Sequence, residues 1–197
     1  MPIKAICFDA DGVVVNPQLL YAKRLDEEYG ITREITADFF GGPFNACLTG
    51  QARLEDELPP FLDKWGWQDS METFIHAWMH TDHVIDERII AVIQRLRQDG
   101  FVCCLTTNQE ANRAAYMRTA MGFLNIFDHL FISCEIGAQK PDPAYYRHIE
   151  NTLGLKKEEI LFFDDGLNNV KAAYEHGWHA EVYTTFETFE RSLEKYF

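Results

Sequence analysis

Ile3-Lys4-Ala5-Ile6-Cys7-Phe8-Asp9-Ala10-Asp11-Gly12 lies at the start of the chain and decides how the rest is read. The run 3–8 is short, apolar and closed by a breaker, the pattern of a buried strand. It ends in two carboxylates two residues apart, and side chains at that spacing point to the same side. Anions held so close need a cation or a shared proton. Such a pair suits a divalent metal with a nucleophile or an acid/base. Taken alone, it equally suits a turn in which Asp11-Gly12 merely ends the strand.

Further strand-like runs follow at 101–106, 129–133, 160–163 and 179–183. Between them lie segments with apolar residues at helical spacing. Asp86 to Gln98 carries Ile89, Ile90, Val92, Ile93 and Leu96 and stops at Gly100; Glu110 to Met121 stops at Gly122. Pro143 to Leu153 opens on a helix-starting proline and ends at Gly154, and Asn168 to His176 ends at Gly177. Strands alternating with helices predict right-handed βαβ units and an α/β, Rossmann-like three-layer sandwich with a mostly parallel sheet. In such sheets ligands bind beyond the carboxyl ends of the strands, where Asp9 lies. Residues 17–82 break the alternation with helix-like pieces only, and carry Trp65, Trp67 and Trp78. They read as a small inserted helical cap, with 1–16 and 83–197 forming the core domain.

The 197 residues suffice for one domain with a modest insertion, and 47% hydrophobic residues supply a real core. A net charge of −13 disfavours nucleic acid, whose phosphates would be repelled. It is compatible with a small phosphorylated substrate if a bound metal reverses the sign locally. Met1-Pro2-Ile3-Lys4 lacks the apolar region of a secretory leader, and no run approaches the ~20 apolar residues of a membrane helix. The five cysteines include no Cys-x-x-Cys pair; they read as free thiols in a reducing cytoplasm.

The remaining strand ends carry what the acid pair would need. Thr106-Thr107-Asn108 offers a hydroxyl and exposed amides before a helix, a phosphate seat or simply an N-cap. Gly137-Ala138-Gln139-Lys140-Pro141-Asp142-Pro143 aims a lysine from a proline-bracketed loop, as a neutralising cation or a solvated surface residue. Ile160-Leu161-Phe162-Phe163 ends in Asp164-Asp165-Gly166, with Asn168-Asn169 one turn later. Hard oxygens of this kind suit Mg²⁺.

This ordered set resembles the haloacid dehalogenase-like superfamily of hydrolases over nearly the whole chain. Asp9-Ala10-Asp11-Gly12-Val13-Val14 looks like its first motif, Thr107-Asn108 its second, Lys140-Pro141-Asp142-Pro143 its third and Asp164-Asp165 its fourth. The position of the insertion resembles the branch with a small helical cap. The resemblance implies that Asp9 attacks phosphorus and that Asp11 protonates the leaving oxygen and then activates water. It implies Mg²⁺ on the Asp9 carboxylate, the Asp11 backbone carbonyl and Asp165, with Asp164 a further ligand or a support. It also implies that Thr107, the Asn108 amide and Lys140 hold the phosphoryl oxygens. Asn169 stands where the family often has an acid, so it orients a partner by hydrogen bonds. Gly166 replaces a common serine.

Asp11 favours phosphate-ester chemistry over dehalogenation, because a halide leaving group needs no proton. The expectation is a Mg²⁺-dependent phosphatase of a small phosphorylated metabolite, and near relatives suggest sugar phosphates. A phosphosugar mutase and a non-catalytic phosphometabolite-binding module are the alternatives. Asn16, Phe44 and Asn45 are candidates for the substrate pocket, though Phe44 and Asn45 would serve equally as cap–core packing. His76, His80 and His83 share one helical face, either a metal site or a partly exposed face. Oligomeric state is left open.

Overall fold

A computed structural model describes residues 2–15 and 20–197. Its centre is one five-stranded, wholly parallel sheet built from β1 (Ala5–Phe8), β2 (Val102–Thr107), β3 (His129–Ile132), β4 (Ile160–Asp164) and β5 (His179–Val182). The spatial order is β3-β2-β1-β4-β5. The chain therefore builds outward from β1 on one side, then crosses back to lay β4 on the other. The crevice at the carboxyl ends of β1 and β4 is the point where winding reverses, the usual ligand position in open α/β sheets.

The strand residues sort cleanly by side. Ile6, Phe8, Cys103, Leu105, Leu161 and Phe163 belong to one buried cluster. Their chain neighbours Ala5, Cys7, Cys104, Ile160 and Phe162 belong to another. Alternating side chains that are apolar on both sides mean a sheet covered on both faces. The first face is covered by α7 (Glu87–Gln98), α8 (Ala111–Thr119), α9 (Phe123–Ile126) and α13 (Phe186–Leu193), which bring Ile89, Ile93, Met117, Phe123 and Phe189. The second is covered by α11 (Pro143–Leu153) and α12 (Leu167–His176), through Tyr145, Tyr146, Ile149 and Ala173. A short α10 (Ser133–Ile136) follows β3. The three-layer α/β sandwich expected from the sequence is the one observed.

Helix starts follow local chemistry. The carboxylates of Asp86, Glu110 and Asp142 accept amide hydrogens at the first turns of α7, α8 and α11, each such cap contributing about 1 kcal/mol. The five cysteines are free, four of them buried. Burial pushes the Cys103 thiol up to about 12, so it stays protonated and unreactive.

Among the described residues, six helices lie between β1 and α7: α1 (Leu20–Tyr29), α2 (Arg33–Phe40), α3 (Phe44–Leu48), α4 (Leu54–Glu57), α5 (Pro59–Trp65) and α6 (Met71–Thr81). They have a hydrophobic cluster of their own, centred on Phe39. The rings of Phe40, Phe44, Phe61 and Trp65 stand 5.0–5.8 Å from that of Phe39. So short a segment must bury much area per residue, which explains its aromatic richness. The chain leaves and re-enters the sandwich at neighbouring points: Val15 bridges Ile85, and the Asp86 amide donates to the Val14 carbonyl at 2.9 Å. No helix among the described residues is long and apolar enough to cross a membrane.

Candidate active site

Sheet register brings distant parts of the sequence together. Phe8 pairs with Leu105 on one side and Phe163 on the other. One step further, Asp9 therefore lies between Thr106 of β2 and Asp164 of β4. Its amide donates to the Phe163 carbonyl at 2.9 Å. Asp9 and Asp164 are both buried, so two carboxylates occupy adjacent strands in a region of low dielectric.

Lys140 answers that charge. It enters from the loop between α10 and α11, and its side chain is 1% exposed. Nζ lies 2.8 Å from Asp9 Oδ1 and 2.6 Å from Asp164 Oδ2, and donates to the Thr106 carbonyl at 2.8 Å. An ammonium has three donors, and all are used. Burial alone would lower its pKa, but the two carboxylates outweigh it and hold Lys140 above its ordinary value. One cation cannot satisfy two acids. Burial pushes the Asp9 carboxyl up to about 8 despite Lys140, and Asp164 adds to the rise. Asp9 Oδ1 also accepts the Ala10 amide at 2.7 Å; no hydrogen bond reaches Oδ2 among the described residues. The loop that aims Lys140 is clasped by Asn108, whose side chain donates to the Lys140 carbonyl and accepts its amide, both at 2.9 Å.

Asp164 Oδ1 accepts from the Gly166 amide at 2.7 Å and from Asn169 Nδ2 at 3.0 Å. Asn169 thus hydrogen-bonds the Asp164 carboxylate. Oxygens of Asp9, Asp164 and Asp165 lie within 4.8 Å of one another. Burial raises the Asp165 pKa, helped by Asp164. Gly12 makes room for this group: a Cβ there would lie 2.3 Å from Asp165 Oδ2, and its φ of +95° is one that L side chains rarely adopt. Three hard oxygen donors with more negative charge than one lysine can balance fit a divalent cation such as Mg²⁺.

The Asp11 side chain is apart from this cluster. It is half exposed; Oδ2 accepts from Gln109 Nε2 at 2.6 Å, and Oδ1 lies 3.6 Å from the Arg113 guanidinium. Gln109 also reaches Thr107 Oγ1 at 3.2 Å, and its backbone is gripped by Ser133 Oγ. Buried Arg113 donates to the carbonyls of Met79 (3.1 Å) and Asp82 (2.9 Å), tying α8 to the end of α6. Sequence reasoning did not single out Gln109 or Arg113. Gln109 directly follows the second motif, a signal available in principle; an arginine inside an amphipathic helix gives none.

A cavity of about 340 Å³ lies between Asp11, Asn108 and Gln109 and the helical insert. Phe44 lines it. Asn45 is exposed and turns its amide to the Gly42 carbonyl at 3.1 Å. Asn16 lies outside the described residues. The histidine face packs on α8: His83 Nδ1 is 2.9 Å and His80 Nδ1 3.4 Å from the Tyr116 hydroxyl, with the His76 and His80 ring centroids 4.1 Å apart and the rings tilted by 34°. Among the described residues, the only cluster of metal-ligating groups is that of Asp9, Asp164 and Asp165.

Residues 3–177 match the family model described as haloacid dehalogenase-like hydrolase. The chain belongs to that family. Among curated relatives, it is 24% identical over 215 residues to bifunctional epoxide hydrolase 2 of Mus musculus, covering 99% of this chain and 39% of that protein. The chain thus spans less than half the length of the mammalian relatives it matches. It is 22% identical over 183 residues to pyrophosphatase PpaX of Halalkalibacterium halodurans, covering 86% of this chain and 78% of that protein. A family enzyme from Bacteroides thetaiotaomicron shares its fold, with a TM-score of 0.81 and 19% identity over 98% of this chain and 99% of that one. The same enzyme has also been solved with magnesium and inorganic phosphate (TM-score 0.75, 21% identity, 92% and 93% coverage).

Proposed function

We propose that this hydrolase is a Mg²⁺-dependent phosphatase of small phosphomonoesters, with the helical insert as its cap. The observation that carries the reading is the separation of two acids into two environments. Asp9 is buried beside Lys140 and Asp164, whereas Asp11 is half exposed and held by Gln109. Acids set apart in this way suit a nucleophile and a general acid/base.

In this reading an Asp9 oxygen attacks phosphorus, forming an acyl phosphate as the ester P–O bond breaks. Asp11 gives its proton to the departing alkoxide, then takes one from the water that attacks the acyl phosphate and releases inorganic phosphate. Gln109 keeps the Asp11 carboxyl aimed. Thr107, the Asn108 amide and Lys140 face the phosphoryl oxygens, Lys140 by exchanging one of its present acceptors. Asp9 and Asp165 would hold Mg²⁺, joined by the Asp11 carbonyl and with Asp164 as a further ligand or support. When bound, the ion supplies positive charge to the transferring phosphoryl group. A complex with magnesium and phosphate in the Bacteroides enzyme and the pyrophosphatase relative support the reading.

The test is phosphate release from acetyl phosphate, p-nitrophenyl phosphate and glucose 1-phosphate with Mg²⁺ and with EDTA, alongside chloride release from 2-chloropropionate. Phosphate release that EDTA stops is expected. Halide release without phosphate release overturns the reading, and isomerised sugar phosphate without free phosphate points to a mutase.

Two further outcomes follow from the carboxylate cluster. Mg²⁺ at 100 times its dissociation constant is expected to stabilise the fold by ~2.7 kcal/mol. That is a rise in melting temperature of roughly 5–11 °C over the EDTA sample, and Asp165→Ala is expected to remove most of it. Gly12→Ala drives a methyl into the Asp165 carboxylate. It is expected to raise the Mg²⁺ concentration for half-maximal activity by about tenfold or more, measured by magnesium titration of phosphate release.

A further inference from the structure

The cavity beside Asp11 has a composition that bears on substrate choice. At ~30 Å³ per water-sized group, its 340 Å³ admits a body of roughly ten heavy atoms, near the lower end of ligand-pocket sizes. Asn108 and Gln109 meet it at the candidate catalytic end. Its wall is formed by Leu25, Ile31, Phe40, Phe44, Leu48 and Trp78 of the insert. Of the other polar residues there, Thr36 already donates to the Thr32 and Arg33 carbonyls, and the Asp82 carboxylate accepts the Tyr21 amide at 3.0 Å. Arg33 is exposed. The Tyr21 hydroxyl is buried and has no hydrogen-bond partner among the described residues. A mostly apolar wall, whose remaining polar groups are the Tyr21 hydroxyl, the second Asp82 oxygen and the exposed Arg33 guanidinium, is a poor match for a sugar. Its several hydroxyls would leave water for surroundings that offer them few partners, and each unpaired group is penalised.

We propose that the preferred substrates are phosphomonoesters of largely apolar alcohols, the hydrocarbon body lying in this cavity under the insert. The inference rests on the phosphatase reading and replaces the sugar phosphate expected from sequence. The aromatic and branched side chains gain from each methylene they remove from water, and the phosphate is left at the polar end with Asp11, Asn108 and Gln109. A single oxygen along the body would find a donor in Tyr21.

The test is kcat/KM for ethyl, butyl, hexyl and octyl phosphate and for glucose 6-phosphate, with acetyl phosphate as the reference. A rise of roughly fourfold per added methylene is expected until the cavity is filled, with octyl phosphate far ahead of the sugar phosphate. Ala37 lines the cavity from α2 but is solvent-exposed; Ala37→Asp should flatten the chain-length dependence, with folding checked by thermal unfolding. Turnover of acetyl phosphate without any chain-length dependence, or with glucose 6-phosphate preferred, overturns this inference and leaves the phosphatase reading standing. If no phosphoester is turned over, the phosphatase reading falls instead. Calorimetric binding of octyl phosphate, compared with ethyl phosphate, then reads the cavity directly, and equal affinities overturn the inference.

Discussion

Asp9→Asn is expected to lower phosphate release by roughly 10⁴-fold or more and to leave the protein folded, with a higher melting temperature in EDTA. The loss of activity follows from the proposed covalent step, since a carboxamide oxygen is a poor nucleophile. The gain in stability follows from where the carboxyl sits. Burial raises the Asp9 pKa from its ordinary 3.8 to about 8, opposed only in part by Lys140. An acid whose pKa is raised on folding binds protons more tightly in the folded state. Its presence therefore lowers stability progressively as pH rises from about 4 to about 8. Asparagine removes that loss and leaves Lys140 paired with Asp164 at 2.6 Å. The stability gain should be small near pH 4 and largest near pH 8. Phosphate release and melting curves across this range measure both effects. Magnesium-dependent turnover that persists in the variant removes Asp9 as nucleophile.

Lys140→Met is expected to be the most destabilising single change at the site. The lysine is the cation between two buried carboxylates, at 2.8 and 2.6 Å, and its side chain is 1% exposed. Breaking a buried pair by removing one partner costs about 3–5 kcal/mol, because the other charge remains buried without compensation. For a domain of this size that is a fall of roughly 6–20 °C in melting temperature. Asp9 in the variant should take up a proton on folding, its pKa being already raised by burial, so acidification should restore part of the loss. The sign is that of any acid raised on folding, with stability regained as pH falls. Melting curves at pH 5 and pH 8 in EDTA measure it. An unchanged melting temperature at pH 8 would show that the ammonium is not the charge partner the geometry indicates.

The fold was largely legible because its strands are short apolar runs closed by acids, glycine or threonine, and its main helices carry clear apolar periodicity. The observed strand limits fall within two residues of those read from 3–8, 101–106, 129–133, 160–163 and 179–183. The short helices Phe123–Ile126 and Ser133–Ile136 were not expected; at one turn each, they are too brief to show a period. The polar parts of the site were visible because each lies at a strand end, where βαβ winding collects them. Gln109 and Arg113 stayed hidden because their roles are defined by partners far away in sequence. Gln109 acts on Asp11 98 residues away, and Arg113 on carbonyls 31 and 34 residues away.

From its residues alone, this chain determines a parallel α/β sandwich and the kinds of groups collected at its carboxyl edge, since alternation and strand-end chemistry are local properties. Only the tertiary structure decided how those groups divide. The Phe8–Phe163 register sets Asp9 against Asp164 and calls for Lys140. A turn of the chain sends Asp11, two residues on, to Gln109 instead. The same holds for the cavity, whose wall comes from four helices and a loop meeting over Asp11. The apolar character of that wall depends on which side chains face inward together, and spacing along one strand or helix does not carry that information.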